Sequence, residues 1–426
     1  MSEVHGRHAG LRWWMYVSIA AVALAFRLIA VWAIPCARVG SPDPNYAPDE
    51  TAHLEEVSLL AEGNLVGWPK TGSIYAAFPP SNDAAQVATL WLGRTLGVAQ
   101  LGERFPPEPP YARGYAWARL GSALISSLAC LFFAFAVALL ADSAICGLVT
   151  GLACAMYPQF IFIGSYTNPD AQSICAGAAV FAALARWSRM GEGDAGFIGA
   201  GAAVGALLAT KLSGYFLLPA TGLIMLWAVA RRRVGVTTVA LAALACLAIG
   251  LPGFVLNAIR NQGDPLGLAL YRRFLSNVWH PHVWSEDPSP METTLTVLPH
   301  SAYGVFGNMN LFLPDYQYRV YGVLLVAGLL VGVSRVARAS SPDKRLAAWV
   351  AGSVFSNFAL VFYNMWFVDF QPQGRYIELS ALLMLCVAVA APLARGGWWR
   401  LVPVGLLSML GITAVTMERI LFIQGR

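Results

Sequence analysis

Three groups of residues in this chain have types and spacings that could do chemistry. The sharpest is Tyr46-Ala47-Pro48-Asp49-Glu50-Thr51-Ala52-His53. Read as the start of a helix, it places Asp49, His53 and Glu56 at i, i+4 and i+7, on one face. Three ionisable groups so arranged suit a general base or a metal site. A proline followed by two acids is also simply a good helix start, because the dipole favours both carboxylates. The second group is Tyr166-Thr167-Asn168-Pro169-Asp170. Asn-Pro is an ordinary turn and Asp170 could cap the next helix, yet it adds a carboxylate to those of Asp49 and Glu50. The third is a pair of cations. Lys211 lies between two apolar runs, and Arg375 sits in Phe370-Gln371-Pro372-Gln373-Gly374-Arg375-Tyr376. A cation there is expensive unless it meets water or an anion, and both suit a phosphate-like head group. Interfacial anchoring is the plainer reading of each alone.

A late stretch carries His280, His282 and His300. Alternate histidines can ligate a metal, but no nearby cysteine supports that, and an amphipathic interface loop explains Trp279-His280-Pro281-His282 as well. The following Ser301–Asn308 stretch sets glycines between aromatics, which suits close packing ahead of a sugar-stacking surface. Six of the seven cysteines fall inside apolar runs and Cys36 has no exposed partner, so no disulfide framework is expected.

The elements that must position these groups are membrane helices. The chain is 57% hydrophobic and only 12% charged, with a mean hydropathy of +0.58. A soluble chain would carry about 25% charged residues. No basic stripe with interleaved aromatics points to nucleic acid. By the length rule for spanning helices, eleven spans are expected: 12–34, 116–140, 144–164, 169–187, 195–210, 212–230, 235–257, 319–337, 346–366, 375–394 and 400–420. The two meeting at Lys211 could instead be one broken helix. The first run is longer than a signal-peptide core and reads as a retained helix; its Arg27 either snorkels to the interface or faces a polar cavity. With the N-terminus inside, the short cytoplasmic loops hold thirteen basic residues against five acids, as the positive-inside rule demands. Two external segments, 36–115 and 258–318, are too long to be connectors. The first contains two amphipathic stretches, Asp49–Gly63 and Ala84–Leu101, that suit interfacial helices. The expected fold is an all-α polytopic membrane domain over 1–426, with its chemistry on the external side.

The ordered set is more specific than its parts. The Pro-Asp-Glu-x-x-His motif, Asn168-Pro169-Asp170, Lys211-Leu212-Ser213-Gly214-Tyr215, Tyr303-Gly304-Val305-Phe306-Gly307 and Gln373-Gly374-Arg375-Tyr376 together resemble one bacterial membrane-protein family. That family is similar to the GT-C glycosyltransferases, which include oligosaccharyltransferase catalytic subunits, protein O-mannosyltransferases and the lipid A aminoarabinose transferase. The resemblance runs from Asp49 to Tyr376. It implies an inverting enzyme of the cell inner membrane that takes a sugar from a polyprenyl-phosphate donor at the outer face. The acceptor would be a glycan, a lipid-linked glycan or a protein hydroxyl. Asp49 matches the first-loop catalytic acid and Glu50 its neighbour; His53, Asn168, Asp170, Lys211, Arg375 and Tyr376 are the substrate-binding candidates. No cofactor is certain, and a divalent ion (Mg or Mn) on Asp49 and Asp170 stays open. The rival readings are an O-antigen ligase or polymerase, a lipid or glycan transporter, and a non-catalytic scaffold.

Overall fold

The computed structural model describes residues 11–34, 47–64, 77–99, 112–189, 194–278, 289–307, 309–336, 341–368, 370–393 and 402–421. Tyr46, Cys36, His280 and His282 lie outside them. The chain is an all-α polytopic membrane protein. Its bundle is built from α1 (Trp13–Ala33), α4 (Ala112–Ala141), α5 (Ala144–Ala155) with α6 (Pro158–Ile163), α7 (Asp170–Arg189), α8 (Asp194–Leu208), α9 (Leu217–Ala230), α10 (Val236–Arg260), α13 (Asp315–Val336), α14 (Ser341–Phe367), α15 (Glu378–Leu393) and α16 (Val402–Leu421). Among the described residues α1, α4, α10, α13 and α14 hold stretches long and apolar enough to cross a membrane, and several others are shorter apolar helices. Each of the eleven expected runs is thus helical. Lipid contains no water to satisfy a free backbone, so long apolar runs have little choice. One run is split: Pro158 has no N–H to extend α5 and opens α6 instead.

The segments meeting at Lys211 are two helices. Phe197 near the start of α8 and Ala228 near the end of α9 share one apolar cluster with Trp187 and Ala242, so the chain reverses through the 3-10 turn Leu212–Gly214. Small residues allow close helix contact. A Cβ on Gly201 or Gly205 of α8 would overlap the α10 backbone at Ala242 or Cys246. Elsewhere large apolar side chains stay exposed, such as Leu223, Val323 and Phe355, as a hydrocarbon-facing surface requires.

The described parts of the long connections carry further short elements. The first holds α2 (Glu50–Ala61), the 3-10 turn Pro80–Asp83 and α3 (Ala84–Thr95). The second holds α11 (Leu268–Val278), α12 (Ser289–Gly304) and a two-residue antiparallel ribbon, β1 (Val305–Phe306) with β2 (Leu311–Phe312). Asn257 near the end of α10 donates to the Ala77 carbonyl at 3.0 Å, tying the two connections together. Between α5, α13, α15 and α16 lies an apolar cavity of about 480 Å³. Its tyrosine end is built by Tyr157, Tyr303 and Tyr321, with Tyr303 and Tyr321 stacked at 4.0 Å.

Arg27 does not snorkel. It is fully buried and turns into the bundle, donating to Ser126 Oγ at 2.7 Å and to the carbonyls of Ala23 (3.0 Å) and Ala155 (3.3 Å), with Phe160 under its guanidinium. The carbonyls left without partners where α5 breaks before Pro158 attract it more than the interface does.

Candidate active site

The motif residues separate as soon as the backbone is built. Asp49 precedes α2 in the left-handed region, φ +62°, and its side chain makes no cap hydrogen bond. The shared face expected for Asp49, His53 and Glu56 is therefore confined to His53 and Glu56, because a positive φ at Asp49 swings its side chain off the helix. That carboxylate is about one-third exposed and meets Arg375 Nη2 at 2.6 Å. A non-glycine residue held at such a φ is unusual, and such strain gathers at functional sites.

Glu50, one residue on, is buried. Its Oε1 accepts from Arg119 Nε (2.7 Å) and from the Thr167 backbone N–H (2.8 Å), and its Oε2 accepts from Arg119 Nη2 (2.6 Å). Arg119 also donates to the carbonyls of Val31 (3.1 Å) and Ile34 (2.5 Å). The pair joins α1, α2, α4 and the turn before α7, so Glu50 occupies a clamp and not a substrate-facing place beside Asp49.

Asp170 does not cap α7 either. Asn168 does: its Oδ1 accepts from the backbone N–H of Asp170 (2.8 Å) and Ala171 (3.3 Å), while its amide donates to Ile163 and Tyr166 carbonyls. The Asp170 carboxylate is free to reach Lys211 Nζ at 3.1 Å. Lys211 and Arg375 both lie over the Tyr376 ring, at 5.4 and 5.2 Å from its centroid. Arg375 sits in the 3-10 turn Gly374–Tyr376 that precedes α15. Gly374 is required there, because its N–H donates to Ser301 Oγ (2.6 Å) and a Cβ would overlap the Ala302 backbone. Asp49, Asp170, Lys211, Arg375 and Tyr376 thus form one constellation: two acids, two cations and a shared aromatic ring.

His53 is buried in a group with Glu56 and Asp83 and lies within electrostatic reach of Asp49, Lys211, Asp170 and Arg375. Glu56 is paired with Arg260 at 2.6 Å. Burial pushes the His53 imidazole down to about 3 and raises the carboxyls of Glu56 and Asp83. His300 contacts the Thr296 carbonyl one turn back and packs edge-on against Tyr318, so among the described residues it belongs to packing. Asp49 meets Arg375 and Asp170 meets Lys211, so each acid of the constellation has a cation beside it.

Sequence reasoning missed Arg119, Asp83, Arg260 and Glu378. The signal for Arg119 was present, a charge inside an expected span, as with Arg27. Glu378 opens α15 fully buried, with neither carboxylate oxygen hydrogen-bonded.

Residues 97–262 match the family described as dolichyl-phosphate-mannose-protein mannosyltransferase. Among solved structures the chain is similar to ArnT from Cupriavidus metallidurans bound to undecaprenyl phosphate, with 19% identity, a TM-score of 0.54, and coverage of 93% of this chain and 63% of that one. The apo state of ArnT gives 17% identity, a TM-score of 0.53, and coverage of 91% and 62%. The archaeal oligosaccharyltransferase AglB from Archaeoglobus fulgidus, solved with an inhibitory peptide and a dolichol-phosphate, gives 11%, 0.52, and coverage of 97% and 55%. No curated protein matches the chain. The chain spans less than two thirds of the length of these structures. At such identities the likeness is one of fold. The fold is that of ArnT and AglB.

Proposed function

We propose that the protein is a GT-C glycosyltransferase that moves a sugar from a polyprenyl-phosphate donor to a hydroxyl acceptor, on a glycan, a lipid-linked glycan or a protein. Asp49 is the general base, and the active face is external to the inner membrane. The observation that carries this reading is the Asp49–Arg375 contact: a partly exposed carboxylate in a strained turn, held by a buried guanidinium beside a second cation, Lys211. A lipid phosphate would take the place of Asp49 on Arg375 as a bidentate ligand, and Lys211 would share its charge. Asp49, released, accepts the acceptor's proton as the hydroxyl attacks the anomeric carbon. The phosphate leaves toward the two cations, which stabilise the charge developing on it. One in-line displacement inverts the anomeric centre.

The apolar cavity supports a lipid donor. Tyr157 of its tyrosine end hydrogen-bonds the Ala302 carbonyl at 2.8 Å, and Ala302 packs against Gly374, next to Arg375. An isoprenoid tail in the cavity would therefore bring its phosphate end toward the cations. The test is transfer from a panel of polyprenyl-phosphate sugars in liposomes. Asp49→Asn keeps the side-chain size and tolerates the positive φ, so it should bind donor and lose about 10²- to 10⁴-fold in turnover. Near-normal turnover would remove Asp49 as the base and make Asp170 the next candidate.

A further inference from the structure

Next to the Asp49 turn lies a cluster that the transfer reaction does not use. His53 and Glu56 are one turn apart on α2, and Asp83 ends the Pro80–Asp83 turn. All three are at most 2% exposed. One ligand atom from each lies within 4.8 Å of the other two. Ligands around a tetrahedral ion at metal–ligand distances near 2.1 Å stand about 3.4 Å apart, so small side-chain rotations close the set. The Asp83 Oδ1 atom is buried without a hydrogen-bond partner. Glu56 is paired with the Arg260 guanidinium at 2.6 Å, while Asp83 is buried beside it. Arg260 on Glu56 Oε1 is also what a ligating carboxylate needs, an outer partner that fixes its orientation.

We infer that His53, Glu56 and Asp83 form a divalent-cation site of zinc type that clips α2 to the Pro80–Asp83 turn. One imidazole and two carboxylates match the mixed nitrogen and oxygen donors that zinc accepts. The ion is a fastener for the first connection, next to the Asp49 turn. The proposal does not rest on the transfer reaction, which could fail its own test without affecting this one.

The full-length protein in detergent is stripped with chelator, loaded with Zn²⁺, desalted and measured for metal. About one equivalent per chain is expected, falling several-fold in His53→Ala and in Asp83→Asn while Asp49→Asn retains it. Co²⁺ loaded into the parent protein should give the intense visible bands of a low-symmetry site, a readout that needs no variant to fold. Parent protein that retains almost no Zn²⁺ and gives only the pale spectrum of hydrated Co²⁺ overturns the proposal. So does full retention by both His53→Ala and Asp83→Asn. Loss in Asp49→Asn alone would move the ion to the catalytic constellation and equally overturn it.

Discussion

Adjacent residues Asp49 and Glu50 should fail in opposite ways when each is made an amide. In Glu50→Gln the new amide Oε1 can still accept from Thr167 and from Arg119 Nε, but its NH₂ faces Arg119 Nη2, donor against donor. Arg119 is about 1% exposed and would lose the carboxylate charge it faces. Removing one partner of a buried pair costs about 3–5 kcal/mol, or roughly 10²- to 10³·⁵-fold in the folding equilibrium. The Val31 and Ile34 carbonyls soften this a little, because they hold Arg119 as well. Asp49→Asn breaks an ion pair whose acid is about one-third exposed, so it should cost only about 1 kcal/mol or less. The assay is equilibrium unfolding in mixed micelles of rising SDS, run beside sugar transfer. Glu50→Gln should unfold early and keep turnover in whatever fraction stays folded. The double variant Glu50→Leu/Arg119→Met should recover part of the loss, since an apolar pair of similar volume suffers no uncompensated charge. A Glu50→Gln protein with parental stability and abolished turnover would refute the clamp and return Glu50 to the chemistry.

Arg375→Ala should weaken binding of polyprenyl phosphate more than Arg375→Lys, because the lysine keeps the charge and loses only the fork; equal affinity in the alanine variant and the parent would make Arg375 an anchor. A cysteine at Asn64 should react with an impermeant reagent from outside the cell while one at Arg232 should not, and labelling at Arg232 would invert the proposed orientation. Gly374→Ala should separate the Arg375 turn from α12 and cut both donor affinity and stability, as thermal unfolding and lipid binding would show; an unchanged variant would mean the turn is not held there.

The helices were legible as apolar runs, though only five are long and apolar enough to cross a membrane by themselves among the described residues, and the choice at Lys211 between two helices and one broken one needed the structure. Asp49, Asp170, Lys211, Arg375 and Tyr376 were legible as residues of unusual cost at the ends of spans. Their partners were less so. Asp49 finds its cation 326 positions away, Glu50 69 and Asp170 41, and no local pattern encodes those distances. The single helical face assigned to Asp49, His53 and Glu56 failed on one backbone angle, since helical spacing presumes that Asp49 is already inside the helix. Arg27 defied snorkelling because the break before Pro158 creates carbonyls that periodicity does not reveal.

The order of these pairings along the chain has a consequence for synthesis. Glu50, Asp170 and Asp49 are each made before the cations that neutralise them, Arg119, Lys211 and Arg375. A nascent chain inserting from its N-terminus therefore completes these three contacts in order, the one at Glu50 first and the one at Asp49 last. The Asp49–Arg375 contact forms only after the turn before α15 has emerged, when all but the last two long helices of the bundle are in place. A chain cut short before Gly374 would hold the Glu50 and Asp170 pairs but lack the one that fastens the first connection to the start of α15, so the constellation closes only near the end of translation.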